Sequence, residues 1–249
     1  MRTRAVGALA IGVGALAIAL ASVACGGTSL FRQYEYEEDV YLSLDGSATV
    51  YVNSSLAALN ALRGTTFDTR PTARVNRERI RAFYTSPVTH VDWVRDSRRN
   101  GRRFVHLRID VDDITKLGSD SPFAWSSYEF REEGDEYVFR QVVGAPAATD
   151  GLQFGWTGRE LVAFRLHLPS KINSKNTGNE RRGNILVWEQ PLSDRLRGVP
   201  LTLESRMQTQ SILYRTLWLF AVTFVAVAIG FVAVIWWVFR RGARHAETV

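Results

Sequence analysis

His106, Asp110 and Asp112 recur at alternate positions of one extended run, which puts an imidazole and two carboxylates on one face. Such donors suit a divalent metal ion, but Arg108 stands between them on that face and would repel a cation. A solvated strand face is therefore the expectation, with no metal. His90 and His167 stand singly in strand patterns, and a general base needs a positioned partner. The fourth histidine, His245, lies in the C-terminal tail. No serine sits in a Gly-x-Ser-x-Gly elbow and no glycine-rich phosphate loop precedes a helix. The residues thus predict no catalytic centre and no cofactor.

Two other features carry chemistry of a different sort. Arg95, Arg98, Arg99, Arg102 and Arg103 crowd around Asn100-Gly101, the tip of a hairpin. Like charges gathered so closely are either a solvated loop or a contact for anionic lipid headgroups or an acidic partner. The Glu132–Glu136 tip of another hairpin, in a neighbouring copy, is one such partner. Cys25 is the only cysteine, so no disulfide can form within one chain.

The elements that must position these residues alternate clearly. Tyr36, Val40, Leu42 and Leu44 share one face of a strand, with Glu35, Glu37 and Asp39 on the other. Asp45-Gly46 turns the chain, and Ala48, Val50 and Val52 return, a strong hairpin pattern. Ser54 or Ser55 caps a helix from Leu56 to Arg63 that ends at Gly64. Asn76 caps a second short helix, and strands are predicted at Val88–Arg95 and Phe104–Val111. A helical turn through Leu117 and a hairpin through Tyr128 and Phe139 follow. The remaining strands are placed at Leu161–Leu168, Ile185–Trp188 and Leu201–Met207, with polar residues 171–182 expected to form a mobile loop. The result is an α+β body, mainly antiparallel, with a few short helices, plus one C-terminal transmembrane helix.

That last helix dominates the chain. Thr216 to Phe239 holds no charged residue, which is enough to span a bilayer core of roughly 20 residues. Trp218 lies near one end and Trp236 and Trp237 at the other, where amphipathic rings favour the two interfaces. At the opposite terminus Arg2 and Arg4 precede an uncharged run from Ala5 to Ala24, and small residues lead into Cys25-Gly26-Gly27, the layout of an export signal. Cleavage before Cys25 would suit a general signal peptidase, or would expose Cys25 for acylation. An uncleaved first span is the third outcome. Arginines flank both apolar runs on their outer sides, which directs both tails inward and the body outward. The tails carry four of the formal six positive charges, so the body is nearly balanced and does not suggest nucleic-acid binding.

The expected organisation is a signal over 1–24, a tether over 25–34, an extracytoplasmic body over 35–210, a span over 214–239 and a cytoplasmic tail over 240–249. This layout resembles the LppM-like bacterial envelope lipoproteins. The resemblance rests on the Cys25 lipobox-like start (Ser22 standing where leucine is usual), the strand-Asp45-Gly46-Ser47-strand hairpin, a β-rich body and a C-terminal span ending in Arg240-Arg241. It implies a body of the lipid-binding kind, with no catalytic residues to carry over; lipidation at Cys25 and localisation to the bacterial cell membrane are expected from the signal and the span themselves. Three functions follow as expectations: non-enzymatic binding of an envelope lipid or protein; an accessory or scaffold subunit that uses its span; and, ranked last, an envelope hydrolase.

Overall fold

The computed structural model describes residues 32–119, 122–147, 155–177, 179–181 and 183–246. The export signal and Cys25 lie outside these residues, as does most of the tether. Eleven strands occur among the described residues: β1 Gln33–Leu42, β2 Ala48–Ser55, β3 Thr89–Arg99, β4 Arg102–Val111, β5 Ser126–Glu133, β6 Glu136–Val143, β7 Glu160–His167, β8 Ser170–Lys175, β9 Asn179–Arg181, β10 Ile185–Pro191 and β11 Leu201–Ser211. They form a seven-stranded sheet, in the order β3-β4-β2-β1-β7-β10-β9, and a four-stranded sheet, β5-β6-β11-β8. Every strand pairing is antiparallel except β1 with β7.

Period-two alternation explains the packing. Val40, Leu42, Val50, Val52, Leu107, Ile109, Phe164 and Leu166 come from one face of the large sheet, and Tyr128, Phe139, Leu203 and Met207 from the small one. Helices α1 (Leu56–Arg63) and α2 (Arg77–Tyr84) add Leu59, Leu62, Ile80 and Tyr84 to this core. The caps are those the sequence predicts. Ser55 accepts a hydrogen bond from the Ala58 N–H, Gly64 adopts the left-handed conformation that ends α1, and Asn76 accepts from the Arg79 N–H. A 3-10 helix, Ile114–Ser119, and a short helix α3, Leu192–Leu196, complete the body.

Two expectations are corrected. Residues 171–182 are not a loop, since β8 and β9 occupy most of the stretch, at the outer edges of the two sheets. An edge strand needs no apolar alternation, because only one side pairs and its side chains can face water. β3 also runs four residues beyond Arg95, so the arginines stand on paired strands and not in a loose tip.

Helix α4, Ile212–Ala246, begins where β11 ends, with no linker between them. The most apolar 18-residue window of its segment Ile212–Trp237 has a mean hydropathy of 2.6, and none of that window is buried against the body. A helix so long, apolar and exposed is suited to a membrane and not to the core of the body.

Candidate functional site

Asn100 and Gly101, both with positive φ, form the two-residue turn between β3 and β4. The register that follows sets Arg99 opposite Arg102 and Arg98 opposite Arg103. Like charges facing across strands repel, so each must be neutralised or turned to water. Arg102 donates to the Glu35 carboxylate at 2.5 Å and to the Gly155 carbonyl at 2.9 Å, with Glu160 at 3.4 Å. A β-bulge at Tyr34–Tyr36 accompanies this contact, and both Glu35 and Glu160 are buried. Burial opposes ionisation of Glu160, but the backbone N–H groups of Thr157 and Gly158 donate to it and hold its carboxyl below the ordinary range. Arg103 lies 3.9 Å from Asp96. Arg99 donates to the Tyr34 carbonyl and covers the Phe104 ring, and Arg95 lies over the Trp93 ring at 4.7 Å. Arg98 is exposed, with no ion pair among the described residues.

The register also fixes where this hairpin lies relative to the apolar helix. Arg102 contacts Glu160, the first residue of β7. At the other end of β7 the chain passes Pro169, whose carbonyl accepts from the Ile212 N–H at 3.1 Å. β7 is eight residues long, so seven steps of strand separate its ends, about 23 Å. Arg98, Arg99, Arg102 and Arg103 therefore occupy the end of the large sheet remote from α4, while Arg95, level with His106, Asn53, Glu37 and Ala163, lies nearer its middle.

A second charged group was not singled out by sequence reasoning. Glu38 is wholly buried between the sheets, 3.3 Å from the buried Arg63 guanidinium at the end of α1. Tyr36 donates to the carboxylate at 2.7 Å, Tyr128 at 3.0 Å and Gln141 at 2.9 Å. Arg63 also donates to the Tyr36 hydroxyl and stacks 3.6 Å from the centre of the Trp125 ring. Burial pushes the Tyr36 and Tyr128 hydroxyls up, so both stay protonated. For Arg63, burial alone would lower the value, yet the surrounding Tyr36, Tyr84 and Glu38 raise it. The cluster is a closed, charged core joint that ties β1, α1, β5 and β6 together. The signal in the sequence was parity: Glu38 falls on the same face as Tyr36 and Val40, an inward position for a carboxylate.

The histidines are dispersed. His106 contacts Asn53 and Ser97, each at 2.8 Å, and burial followed by the charge of Arg99 lowers its pKa. Asp110 contacts Thr49 and Arg108, while Asp112 contacts His90. Among the described residues no three His, Cys, Asp or Glu side chains converge as metal ligands. His167 stacks on Tyr41 at 3.8 Å, and burial lowers its pKa.

At the α4 end of the body, β8, the outer strand of the small sheet, and the turn that leads into β10 border a cavity of about 400 Å³. Lys171, Asn173, Ser174 and Lys175 of β8 line it, with Asn184 at the start of β10 and Ile212, the first residue of α4. Sequence reasoning missed this site because it lies in the stretch read as a loop.

No family model matches the chain, and no curated protein matches it. Among solved structures, the NMR structure of the folded domain of Mycobacterium tuberculosis LppM is similar over 72% of this chain and 92% of that one. Identity over the match is 12% and the TM-score is 0.40, a weak likeness at the level of the fold alone.

Proposed function

We propose that this chain is a non-enzymatic, membrane-anchored protein whose body stands outside the cytoplasm and binds an envelope lipid or an envelope protein. The observation that carries this reading is the direct passage of β11 into an exposed apolar helix. A body joined without slack is held against the headgroups, within reach of membrane lipids and of other membrane-held proteins. Arg240, Arg241 and Arg244 beyond the apolar segment favour the cytoplasmic side, which supports a body outside. An acyl chain on Cys25 would add a second anchor to the same membrane.

The test uses intact spheroplasts of cells expressing the full chain with a C-terminal epitope. Retention in the pellet after alkaline carbonate extraction is expected, with the body digested by external protease and the epitope protected. Release by carbonate, or digestion of the epitope in sealed cells, overturns the reading. Mass spectrometry of the purified native protein identifies the mature first residue and any acyl chain on Cys25.

A further inference from the structure

We propose that Asn100 is a site of spontaneous covalent modification, promoted by the arginines beside it, at which the side-chain amide is lost and the hairpin tip gains a carboxylate. Water is the only co-reactant. The proposal does not depend on the anchoring argued above.

The chemistry starts from two neighbouring residues. Asn100 is followed by Gly101, and no other asparagine in the chain precedes a glycine. The Gly101 backbone nitrogen, once deprotonated, attacks the Asn100 Cγ. A C–N bond forms there, and the side-chain nitrogen takes up a proton and leaves as ammonia. The product is a five-membered succinimide ring. Water then opens the ring at Cγ to give an aspartyl residue, or at the main-chain carbonyl to give an isoaspartyl linkage that runs through Cγ. Glycine matters because it brings no Cβ to crowd the closing ring.

The fold leaves these groups free. Both residues are exposed, and a Cβ built on Gly101 would meet nothing within 4 Å. The Asn100 side chain makes no hydrogen bond among the described residues, whereas those of Asn53, Asn60, Asn76, Asn173, Asn176 and Asn184 are all held. Asn100 and Gly101 have φ of 49° and 74°, as a tight two-residue turn requires. The Gly101 peptide must rotate out of that turn before its nitrogen reaches Cγ, so the reaction passes through a locally opened tip.

Charge favours both the opening and the attack. The register sets Arg99 opposite Arg102 and Arg98 opposite Arg103, and like charges so placed weaken the pairing. Arg102 is held by Glu35 and Glu160, and Arg103 shares Asp96 with Arg77. Arg98 and Arg99, directly before Asn100, have no carboxylate partner among the described residues. Their charge favours the deprotonated Gly101 nitrogen, and then the carboxylate that replaces the amide. Modification thus sets an anion among guanidiniums that otherwise repel one another, and its isoaspartyl form adds a main-chain carbon to the turn.

The test holds the full chain, purified in a mild detergent, for weeks at neutral pH. A protease that cuts before aspartate then releases residues 96–109 from the unmodified chain for mass spectrometry. Progressive loss of the Asn100 amide is expected, with isoaspartyl product detected by enzymatic methylation, while Asn53 and Asn60 keep their amides. Gly101→Ala should abolish the loss on this timescale, although left-handed strain at that position favours an open turn. R98Q/R99Q should slow it about fivefold, the scale of two exposed charge interactions. Added sodium chloride should slow the parent more than that variant. A folded chain that keeps the Asn100 amide while the urea-unfolded chain loses it overturns the proposal, since the turn would then be protective. Equal rates in the parent and R98Q/R99Q at low salt, or loss spread evenly over the asparagines, also overturn it.

Discussion

The charges buried in this protein differ sharply in what they would cost to disturb. Glu38 and Arg63 are enclosed together, and removing one partner from such a pair leaves the other uncompensated at a cost of about 3–5 kcal/mol. Glu38→Gln is therefore expected to destabilise the detergent-solubilised chain by about 3 kcal/mol, measured by urea denaturation followed through tryptophan fluorescence. Adding Arg63→Met to it should recover most of the loss, because the glutamine keeps hydrogen-bonding capacity toward Tyr36 and Tyr128 while the stranded cation is gone. A double variant no better than the single would refute the pairing. His106 and His167 behave in the opposite sense to salt-bridged histidines. Their folded pKa values lie below the ordinary 6.5, so the unfolded chain takes up the proton first. Stability should fall as pH drops through about 6.5, and His167→Gln should flatten that part of the profile. The Glu160 contribution is present above about 4.5 and is lost only at lower pH, as its depressed folded value is passed. The two titrations are thus separable in one pH series. At this scale the sequence was legible where alternation decides burial. It was misleading where register decides it: nothing local to Arg102 announces Glu35 or Glu160, which come from strands 67 and 58 residues away.

Elements were read well wherever capping chemistry is local. α1 was bounded at both ends because Ser55 and Gly64 act on groups within four residues of themselves. Its position matters beyond its own length, since its last residue, Arg63, is the cation of the buried pair. Gly64 sits at φ 67°, and an added Cβ would meet the Ala147 side chain at 3.0 Å. Gly64→Ala is expected to cost about 1–2 kcal/mol from left-handed strain alone, and Ser55→Ala about 1 kcal/mol from the lost cap. Both would appear as a lower urea midpoint with an unchanged slope. β8 and β9 were missed for a physical reason. Their sequences, Ser170–Lys175 and Asn179–Arg181, lack an apolar period, and each is a strand only because β11 or β10 offers a complementary edge. The extension of β3 to Arg99 has the same origin, a partner strand that keeps pairing past the apolar residues.

The whole molecule has two ends, and their separation decides which positive charges can meet a membrane. The arginine hairpin was the conspicuous feature of the sequence, yet it sits about 23 Å along the sheet from the point where α4 begins, with Arg102 and Arg103 beside internal carboxylates. The lysines of β8 are inconspicuous in sequence and stand at the start of α4. If lipid recognition depends on holding the body at headgroup depth, slack in the joint should abolish it without altering either the body or the helix. Ten Gly/Ser residues placed between Leu213 and Tyr214 leave Ile212 in the cavity wall and the apolar helix beyond it. Such a linker has a root-mean-square span of about 16–19 Å, while each headgroup layer is only about 5–8 Å thick. In nanodiscs containing a small fraction of phosphatidylglycerol carrying a headgroup photocrosslinker, the parent is expected to crosslink through the body. The linker variant should do so at least several-fold less, although its affinity for the same lipid in detergent micelles, where no fixed depth exists, stays unchanged. Equal crosslinking in nanodiscs would mean that the body reaches the lipid by its own adhesion, and the linkerless junction would then have no part in recognition.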